Sequence, residues 1–314
     1  MNSRMFTVEK QVPEDPLLLE DVVPLPKGMV GLAVLGSPIK HSISPQLHAA
    51  ALEVLSNRLP QFSKWVYHKI QVESSDLSPA LIRLAECGYI GLNLTIPHKV
   101  DVIKLIESVD SEAEMIGAVN TLFYDQSQWK GFNSDGYGLG KALLDRFGFS
   151  FDSAEILILG AGGAARAAAA QALSQKCKNV WIGNRSISRL DSLKRKLGEF
   201  FDINKILTFN LGEPPSGLLS IENLLVINCT SLGLKSTDPL PVSLSRFHST
   251  TKVYDMVYNP SQTKLIQEGL DLGMDCENGL SMLVHQASKS LSIWTENEIS
   301  SDAMFLAAEK ALEY

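Results

Sequence analysis

Short apolar runs alternate with longer amphipathic segments along most of the chain. Three runs in the first half have the length of strands and lie at 30–36, 65–72 and 89–95. The segments after them carry apolar residues every three or four positions, as helices do, and span 45–56, 75–87 and 97–107. A hairpin pattern closes the series at 119–124 and 129–132. This alternation predicts an α/β domain.

The second half of the chain repeats the alternation around a glycine-rich turn. An apolar run at 156–159 leads into the turn, whose residues are Gly160, Ala161, Gly162, Gly163, Ala164 and Ala165, and an alanine-rich stretch follows at 166–173. A strand, a tight glycine turn and a helix start are typical of a dinucleotide-binding fold, in which backbone N–H groups approach a pyrophosphate. Further strands are predicted near 179–183, 205–209, 224–228, 252–255 and 273–276, so we expect a doubly wound sheet.

The strand at 179–183 ends in polar residues that bear on the choice of cofactor. Asn184, Arg185 and Ser186 follow it, with Arg189 three residues later, and no carboxylate precedes Asp191. A carboxylate here would bind the ribose 2′-hydroxyl of NAD, whereas guanidinium groups match an additional 2′-phosphate. The pattern therefore predicts NADP; the alternative is that both arginines are ordinary solvated residues near a helix start.

The predicted elements divide the chain into three parts. We expect an N-terminal extension at 1–28, a substrate domain at 29–134 and a Rossmann NADP-binding domain at 135–279. Two helical patterns at 280–294 and 302–312 exceed what the nucleotide domain needs, so we expect residues 280–314 to return to the first domain. The extension is either a loose arm or a strand-pairing element, and its prolines favour the arm.

Two serines precede the first predicted helix. Ser42 and Ser44 stand just before Pro45, which fits the first position of a helix. Ser44 is therefore a candidate N-cap as well as a candidate ligand-binding residue. Ser42 has no such local explanation, so we consider it a binding candidate.

A second group of polar residues follows the strand at 89–95. Asn93 and Thr95 alternate with apolar residues there, and Lys99 is predicted in the first turn of the helix at 97–107. A cation in that position opposes the helix macrodipole, so stability does not explain it. Asp135 opens another helix of the same domain, and the carboxyl ends of neighbouring strands face one cleft. We therefore predict that Lys99 and Asp135 meet as a proton-transfer pair, and we expect His98 at the surface without a role.

Composition narrows the classes of function. The 314 residues carry a formal net charge of −7, which offers no basic surface for nucleic acid, so a small-molecule substrate is the expected partner. The four cysteines are widely separated and form no metal-binding pattern with the histidines, so no metal is expected. No apolar run of about 18 residues is present, so we expect no membrane partner and a cytosolic protein. A homodimer is one assembly that the sequence leaves open.

Seven motifs in order make the chain resemble the shikimate dehydrogenase family over about residues 29–295. They are HSISP at 41–45, NLTIPHK at 93–99, GAVNT at 117–121, NSDG at 133–136, the glycine turn at 160–165, NRS at 184–186 and GLSMLVHQA at 279–287. The resemblance implies a two-domain α/β enzyme that reversibly reduces 3-dehydroshikimate to shikimate with NADPH, a step toward chorismate and the aromatic amino acids.

The resemblance also implies roles for individual residues. Ser42, Ser44 and Tyr258 would hold the substrate carboxylate, and the ring hydroxyls would be bound by Thr95, Lys99, Asn120, Asp135 and Gln286, with Asn93 in support. Lys99 and Asp135 would be catalytic. The cofactor would lie on Gly160, Ala161, Gly162, Gly163, Ala164, Asn184, Arg185, Ser186, Arg189, Thr230, Met256 and Gly279.

Three other functions are weighed against this one. The nearest is a quinate/shikimate dehydrogenase able to use NAD, against which Arg185 and Arg189 argue. A nucleotide-sensing regulator that lost the reaction would have little need of both Lys99 and Asp135. A glutamyl-tRNA reductase-like enzyme would need a nucleophilic cysteine and a basic surface, but Cys87 lies in an apolar-periodic segment.

Overall fold

Two β-sheets, one from each half of the chain, form the framework of the computed structural model, which describes residues 15–312. The first sheet has seven strands in the order β1-β3-β2-β4-β6-β7-β5. They are β1 Leu17–Leu18, β2 Val30–Gly36, β3 Trp65–Gln71, β4 Tyr89–Leu94, β5 Ser108–Val109, β6 Thr121–Asp125 and β7 Gln128–Phe132. The first four in the spatial order run parallel, and β6 pairs antiparallel with β4 and β7.

The second sheet is entirely parallel and has the order β10-β9-β8-β11-β12-β13. Its strands are β8 Glu155–Leu159, β9 Asn179–Asn184, β10 Ile206–Asn210, β11 Leu225–Asn228, β12 Lys252–Asp255 and β13 Asp275–Asn278. This order reverses direction at β8, as in a doubly wound Rossmann sheet, which confirms the predicted fold class. The glycine-rich turn follows β8, at the point of reversal.

Helices cover the sheets and connect their strands. They are α1 Ser44–Arg58, α2 Leu77–Glu86, α3 Ser111–Ile116, α4 Asp135–Phe147, α5 Gly163–Ser174, α6 Ile187–Gly198, α7 Ser216–Leu219, α8 Lys264–Asp271, α9 Leu280–Thr295 and α10 Asp302–Leu312. Of the helices in this part of the chain, none combines the length and apolar character that crossing a bilayer requires.

The two C-terminal helices return to the first sheet, as expected. Helix α9 packs against α1 and α4, and α10 packs against α1. Trp294 of α9 is buried and donates its indole N–H to the carbonyl of Leu122 in β6 at 2.9 Å. Because α4 contacts both α5 and α9, the boundary at 134/135 stays a proposal.

The segment at 97–107 corrects one prediction, since it is not an α-helix. Residues 96–100 form turns, and only a 3₁₀ helix at Asp101–Lys104 follows. A tertiary contact uses the backbone of this segment, because the Lys99 carbonyl accepts a hydrogen bond from the N–H of Val119 at 2.7 Å. Lys99 therefore does not lie in the first turn of a helix, and the macrodipole argument does not apply to it.

The described part of the N-terminal extension, residues 15–28, pairs with the sheet and is not a loose arm. Strand β1 adds to the edge of β3, and Val22 is 2% exposed. The guanidinium of Arg83 donates to the carbonyls of Val22 at 2.6 Å and Glu20 at 3.0 Å. The prolines at 24 and 26 lie after the paired residues, so they do not prevent pairing. Residues 1–14 lie outside the described residues.

Candidate active site

Lys99 and Asp135 lie against each other between the two sheets. The Lys99 Nζ is 2.7 Å from Asp135 Oδ2, with the lysine side chain 17% exposed and the aspartate 1% exposed. Lys99 comes from the turn after β4, and Asp135 is the first residue of α4. The pair combines a buried carboxylate with an amine that still reaches the cleft, which suits proton transfer.

Asn120 holds the second oxygen of that carboxylate. Its side-chain nitrogen lies 2.8 Å from Asp135 Oδ1, 2.9 Å from Gln286 Oε1 and 2.9 Å from Ser134 Oγ. Its own oxygen accepts from the backbone N–H of Ser134 at 2.8 Å. Residues from the start of α4 and from α9 thus converge on one amide, and the structure brings Asn120, Asp135 and Gln286 together.

Asn93 and Thr95 lie at the carboxyl end of β4 beside this cluster. Asn93 accepts a hydrogen bond from the Tyr67 hydroxyl at 2.7 Å and donates to Ser290 Oγ at 2.9 Å. Both ends of its amide are therefore used within the protein, consistent with a supporting position. Thr95 is half-buried, between Asn93 and Lys99 along the chain.

Ser42, Ser44 and Tyr258 form a separate group at the start of α1. The Ser42 hydroxyl lies 3.2 Å from the Ser44 hydroxyl and accepts from the Ser44 N–H at 3.3 Å. Ile43 occupies the N-cap position, so the interpretation of Ser44 as N-cap is wrong. Burial raises the pKa of Tyr258 to about 12, opposed by a hydrogen bond to the backbone of Ile43. This residue of the second half of the chain therefore reaches the serine loop.

The glycine-rich turn faces Lys99. Gly160 has a φ of +117°, which L-residues with side chains rarely adopt. A Cβ at Gly162 would meet nothing within 4 Å, whereas a Cβ at Gly163 would lie 3.0 Å from Lys99 Cβ. The turn is therefore open at Gly162 and in contact with Lys99 at Gly163. Ala161 is buried and Ala164 is half-buried. No side chain caps α5, so its first N–H groups are available to an anion.

The residues after β9 form an open, polar edge. Ser186 caps α6 by accepting from the Arg189 N–H at 3.4 Å, and Asn184 donates to the carbonyl of Ser186 at 3.1 Å. The side chains of Arg185 and Arg189 are exposed. Both guanidinium groups can therefore turn toward a phosphate at this edge.

Thr230, Met256 and Gly279 follow β11, β12 and β13, at the edge where open α/β sheets bind ligands. The Thr230 hydroxyl donates to Asn228 Oδ1 at 2.7 Å, which orders the turn after β11. A Cβ at Gly279 would overlap the carbonyl oxygen of Met256, so only glycine fits there. Burial raises the pKa of Asp255, which Asn228 contacts at 2.9 Å.

Four side chains around the site were missed or misassigned from the sequence. Tyr67, Thr121 and Ser290 belong to the hydrogen-bonded cluster, but a single tyrosine, threonine or serine carries no sequence signal of that kind. His98, expected at the surface, is 1% exposed, and its Nε2 contacts the carbonyl of Val72 at 2.8 Å. Burial lowers the pKa of His98, so its neutral ring anchors the turn that bears Lys99.

Comparison with known proteins shows the family of this chain. The family model of the shikimate dehydrogenase substrate binding domain matches residues 34–122, and that of shikimate / quinate 5-dehydrogenase matches residues 142–210. The shikimate dehydrogenase (NADP(+)) of Geobacter metallireducens is 37% identical over 268 residues, covering 85% of this chain and 91% of that protein.

Solved structures give the same result. A shikimate dehydrogenase in complex with NADP⁺ superposes with a TM-score of 0.81 at 28% identity, covering 92% of this chain and 98% of that one. Shikimate 5-dehydrogenase from Thermus thermophilus, in complex with NADP(H) and shikimate, gives 0.77 at 30% identity, covering 90% and 100%. On its sequence, its fold and the arrangement of its cleft, this chain belongs to the shikimate dehydrogenase family.

Proposed function

We propose that this chain interconverts shikimate and 3-dehydroshikimate with NADP as its cofactor, and that Lys99 and Asp135 move the proton of this reaction. The single observation that supports these roles is the position of the Lys99 amine. It lies 2.7 Å from a buried carboxylate, and its side chain contacts the glycine turn. An acid–base group is thus held where a substrate and a dinucleotide would meet.

The residues present fit NADP. The open Gly162 and the uncapped start of α5 suit a pyrophosphate, because backbone N–H groups there have no side-chain acceptor. The exposed Arg185 and Arg189 suit the 2′-phosphate. Gly279 approaches Met256 so closely that no side chain fits between them, and both residues would contact the cofactor.

The substrate groups divide between two ends of the cleft. Ser42, Ser44 and Tyr258 provide hydroxyls for the carboxylate. At the other end, Gln286 accepts from Asn120 through Oε1, which leaves its Nε2 as the donor for a ring hydroxyl. Thr95, between the two ends, provides a further hydroxyl.

When bound, NADPH supplies the hydride for the reduction. Negative charge develops on the ring oxygen as the ketone is reduced, and Lys99 donates a proton to it. Asp135 accepts from the Lys99 amine through its Oδ2 and so holds the amine in place. The Asn120 Nδ2 donates to the other carboxylate oxygen, Asp135 Oδ1. In the oxidation of shikimate, Lys99 accepts the proton from the hydroxyl.

Substitution of the lysine tests these roles. Lys99→Ala is expected to lower kcat by about 10² to 10⁴ with little effect on the KM for NADP. Lys104→Ala, at an exposed lysine in the following 3₁₀ helix, is the matched control and should leave kcat unchanged. Near-normal turnover of Lys99→Ala would remove the lysine from the mechanism.

Substrate and cofactor choice are tested separately. Initial rates are measured with shikimate and quinate, each with NADP and NAD. The exposed arginines predict the highest kcat/KM for shikimate with NADP. A preference for quinate with NAD would instead favour a quinate/shikimate dehydrogenase.

For location we infer the cytosol, and a homodimer is the assembly to be tested. The four cysteines are free thiols, as is typical of a reducing compartment. Cell fractionation tests the location, and sedimentation of the purified protein tests the assembly.

A further inference from the structure

A buried pair of hydroxyls lies behind the candidate proton-transfer residues. Thr121, the first residue of β6, and Ser290, in the middle of α9, are both 0% exposed, and their oxygens are 2.8 Å apart. Neither reaches the cleft. Polar groups so completely removed from water are costly unless each has hydrogen-bond partners.

Thr121 has its partner in Asn120. The Thr121 hydroxyl donates to Asn120 Oδ1 at 2.9 Å, and the Ser134 N–H donates to the same oxygen at 2.8 Å. These two donors define which end of the amide is the oxygen. The two ends of an asparagine amide have nearly the same shape, so donors, and not packing, decide its orientation.

The orientation of this amide matters for the reaction. With its oxygen toward Thr121, Asn120 directs its NH₂ group to Asp135 Oδ1 at 2.8 Å and to Gln286 Oε1 at 2.9 Å. If the amide turned over, the Asn120 oxygen would face Asp135 Oδ1 and the side-chain oxygen of Gln286. Repulsion between oxygens would then replace both hydrogen bonds. Asp135 would then lose the hydrogen bond at Oδ1 that orients its carboxylate, with Oδ2 toward Lys99.

Ser290 connects Thr121 to helix α9. Its hydroxyl lies 2.8 Å from the Thr121 hydroxyl and donates to the backbone carbonyl of Gln286 at 3.0 Å. Ser290 in turn accepts from Asn93 Nδ2 at 2.9 Å. The Tyr67 hydroxyl donates to Asn93 Oδ1 at 2.7 Å and so orients that amide as well.

We propose that Thr121 and Ser290 are positioning residues, whose hydroxyls hold the Asn120 amide in the one orientation that places Asp135 and Gln286 for the reaction. The proposal rests on the proposed function for its readout. Through Ser290, it also makes helix α9 part of the proton-transfer arrangement.

The test removes one hydroxyl at nearly constant volume. Thr121→Val is expected to lower kcat for shikimate oxidation about tenfold, since a hydrogen bond to a buried amide is lost, while the KM for NADP stays unchanged. Thr121→Ser keeps the hydroxyl and should restore kcat to within about twofold. Ser290→Ala, which removes the hydroxyl that contacts Thr121, should lower kcat about threefold.

Ser288→Ala is the matched control. Ser288 lies on the same helix, and its hydroxyl donates to the carbonyl of Ile299 at 2.7 Å, away from the cluster. It should leave kcat unchanged. The melting temperature of each variant is measured alongside. If Thr121→Val does not fold, the kcat of Ser290→Ala is compared with that of Ser288→Ala, and this comparison decides the question.

Two results would overturn the proposal. One is a kcat of Thr121→Val, or of Ser290→Ala where that variant decides, within twofold of the parent. The other is equal impairment in Thr121→Ser and Thr121→Val, which would assign the effect to packing at this position, since Thr121→Ser keeps the hydroxyl. Failure of the proposed function looks different, because then the parent protein lacks shikimate activity or Lys99→Ala retains it.

Discussion

The two sides of the cleft are built in opposite ways. On the substrate side, Asn120 and Asp135 are 1% exposed and hydrogen-bonded to groups from distant parts of the chain. On the nucleotide side, Arg185 and Arg189 are exposed, and the side chains of Asn184 and Ser186 beside them hydrogen-bond to near neighbours in sequence. The buried side is therefore held by contacts within the protein, whereas in the proposed function the arginine side would exchange water for a phosphate.

This difference fits the function proposed for each side. A proton transfer needs its groups held within a narrow geometry, and a hydrogen-bonded interior supplies that. Binding a phosphate needs charge and reach, and long solvated side chains supply both at a low desolvation cost. The difference predicts that substitutions on the buried side change kcat and those on the exposed side change cofactor KM.

The largest effect is expected at Asp135. Asp135→Asn keeps the shape of the side chain but removes the charge that holds the Lys99 amine, so kcat should fall by about 10² to 10³. Steady-state rates at saturating shikimate and NADP measure this. Asp101→Asn, at an exposed aspartate near the Lys99 turn, is the control. An unchanged kcat in Asp135→Asn would mean that the buried side does not control turnover.

The arginines should change cofactor binding alone. Arg185→Ala and Arg189→Ala are each expected to raise the KM for NADP about tenfold, because each removes a charged hydrogen-bond donor to phosphate. The KM for NAD and the kcat should stay the same. Arg195→Ala, at an exposed arginine of the same helix, serves for comparison. A parallel rise in the KM for NAD would argue against binding of the 2′-phosphate.

The buried His48 should make the free energy of unfolding depend on pH. His48 of α1 stacks on Tyr67 with ring centroids 4.0 Å apart, and burial lowers its pKa to about 3. The unfolded chain binds this proton near the ordinary value of 6.5, so stability should fall as the pH drops below it. The expected loss is about 1.4 kcal/mol per pH unit, or about 2 kcal/mol from pH 6.5 to pH 5.

Denaturant unfolding at several pH values measures this slope. His48→Phe keeps a ring against Tyr67 but cannot titrate, so its free energy of unfolding should depend less on pH between 6.5 and 5. His41→Phe, at an exposed position, should keep the slope of the parent. Identical slopes in the parent and His48→Phe would show that His48 does not titrate on unfolding.

The smallest effect is expected at the outer edge of the first sheet. Arg83→Ala removes the hydrogen bonds to the carbonyls of Val22 and Glu20 and should lower the free energy of unfolding by about 1 kcal/mol. The kcat should not change, because this edge lies apart from the cleft. Thermal unfolding and steady-state rates test both points, with the exposed Arg58→Ala as reference. A loss of kcat would connect the extension to the site.

The predictions from the sequence succeeded where local pattern carries the information. The strand at 30–36 has the bounds predicted for it, as does the helix at 302–312, because apolar periodicity reports the buried face directly. The segment at 97–107 failed for the opposite reason. Its backbone pairs with Val119, about twenty residues away, and periodicity contains no such information.

The site shows the same division. Chemistry-bearing residues such as Lys99 and Asp135 stand out in the sequence because their types and places at strand ends are unusual. Thr121, Ser290 and Tyr67 do not, since hydroxyls of these types occur throughout the chain and gain meaning only from what surrounds them.

By itself the sequence determined most of the longer strands and helices, the glycine turn and the candidates for chemistry, since these follow from neighbours along the chain. Only the tertiary structure decided that Lys99 lies in a turn, that β1 joins the sheet and that α9 supplies Ser290 to the cluster around Asn120. The physical reason is distance along the chain. Hydrogen bonds and burial between remote segments set these features, and no local pattern encodes them.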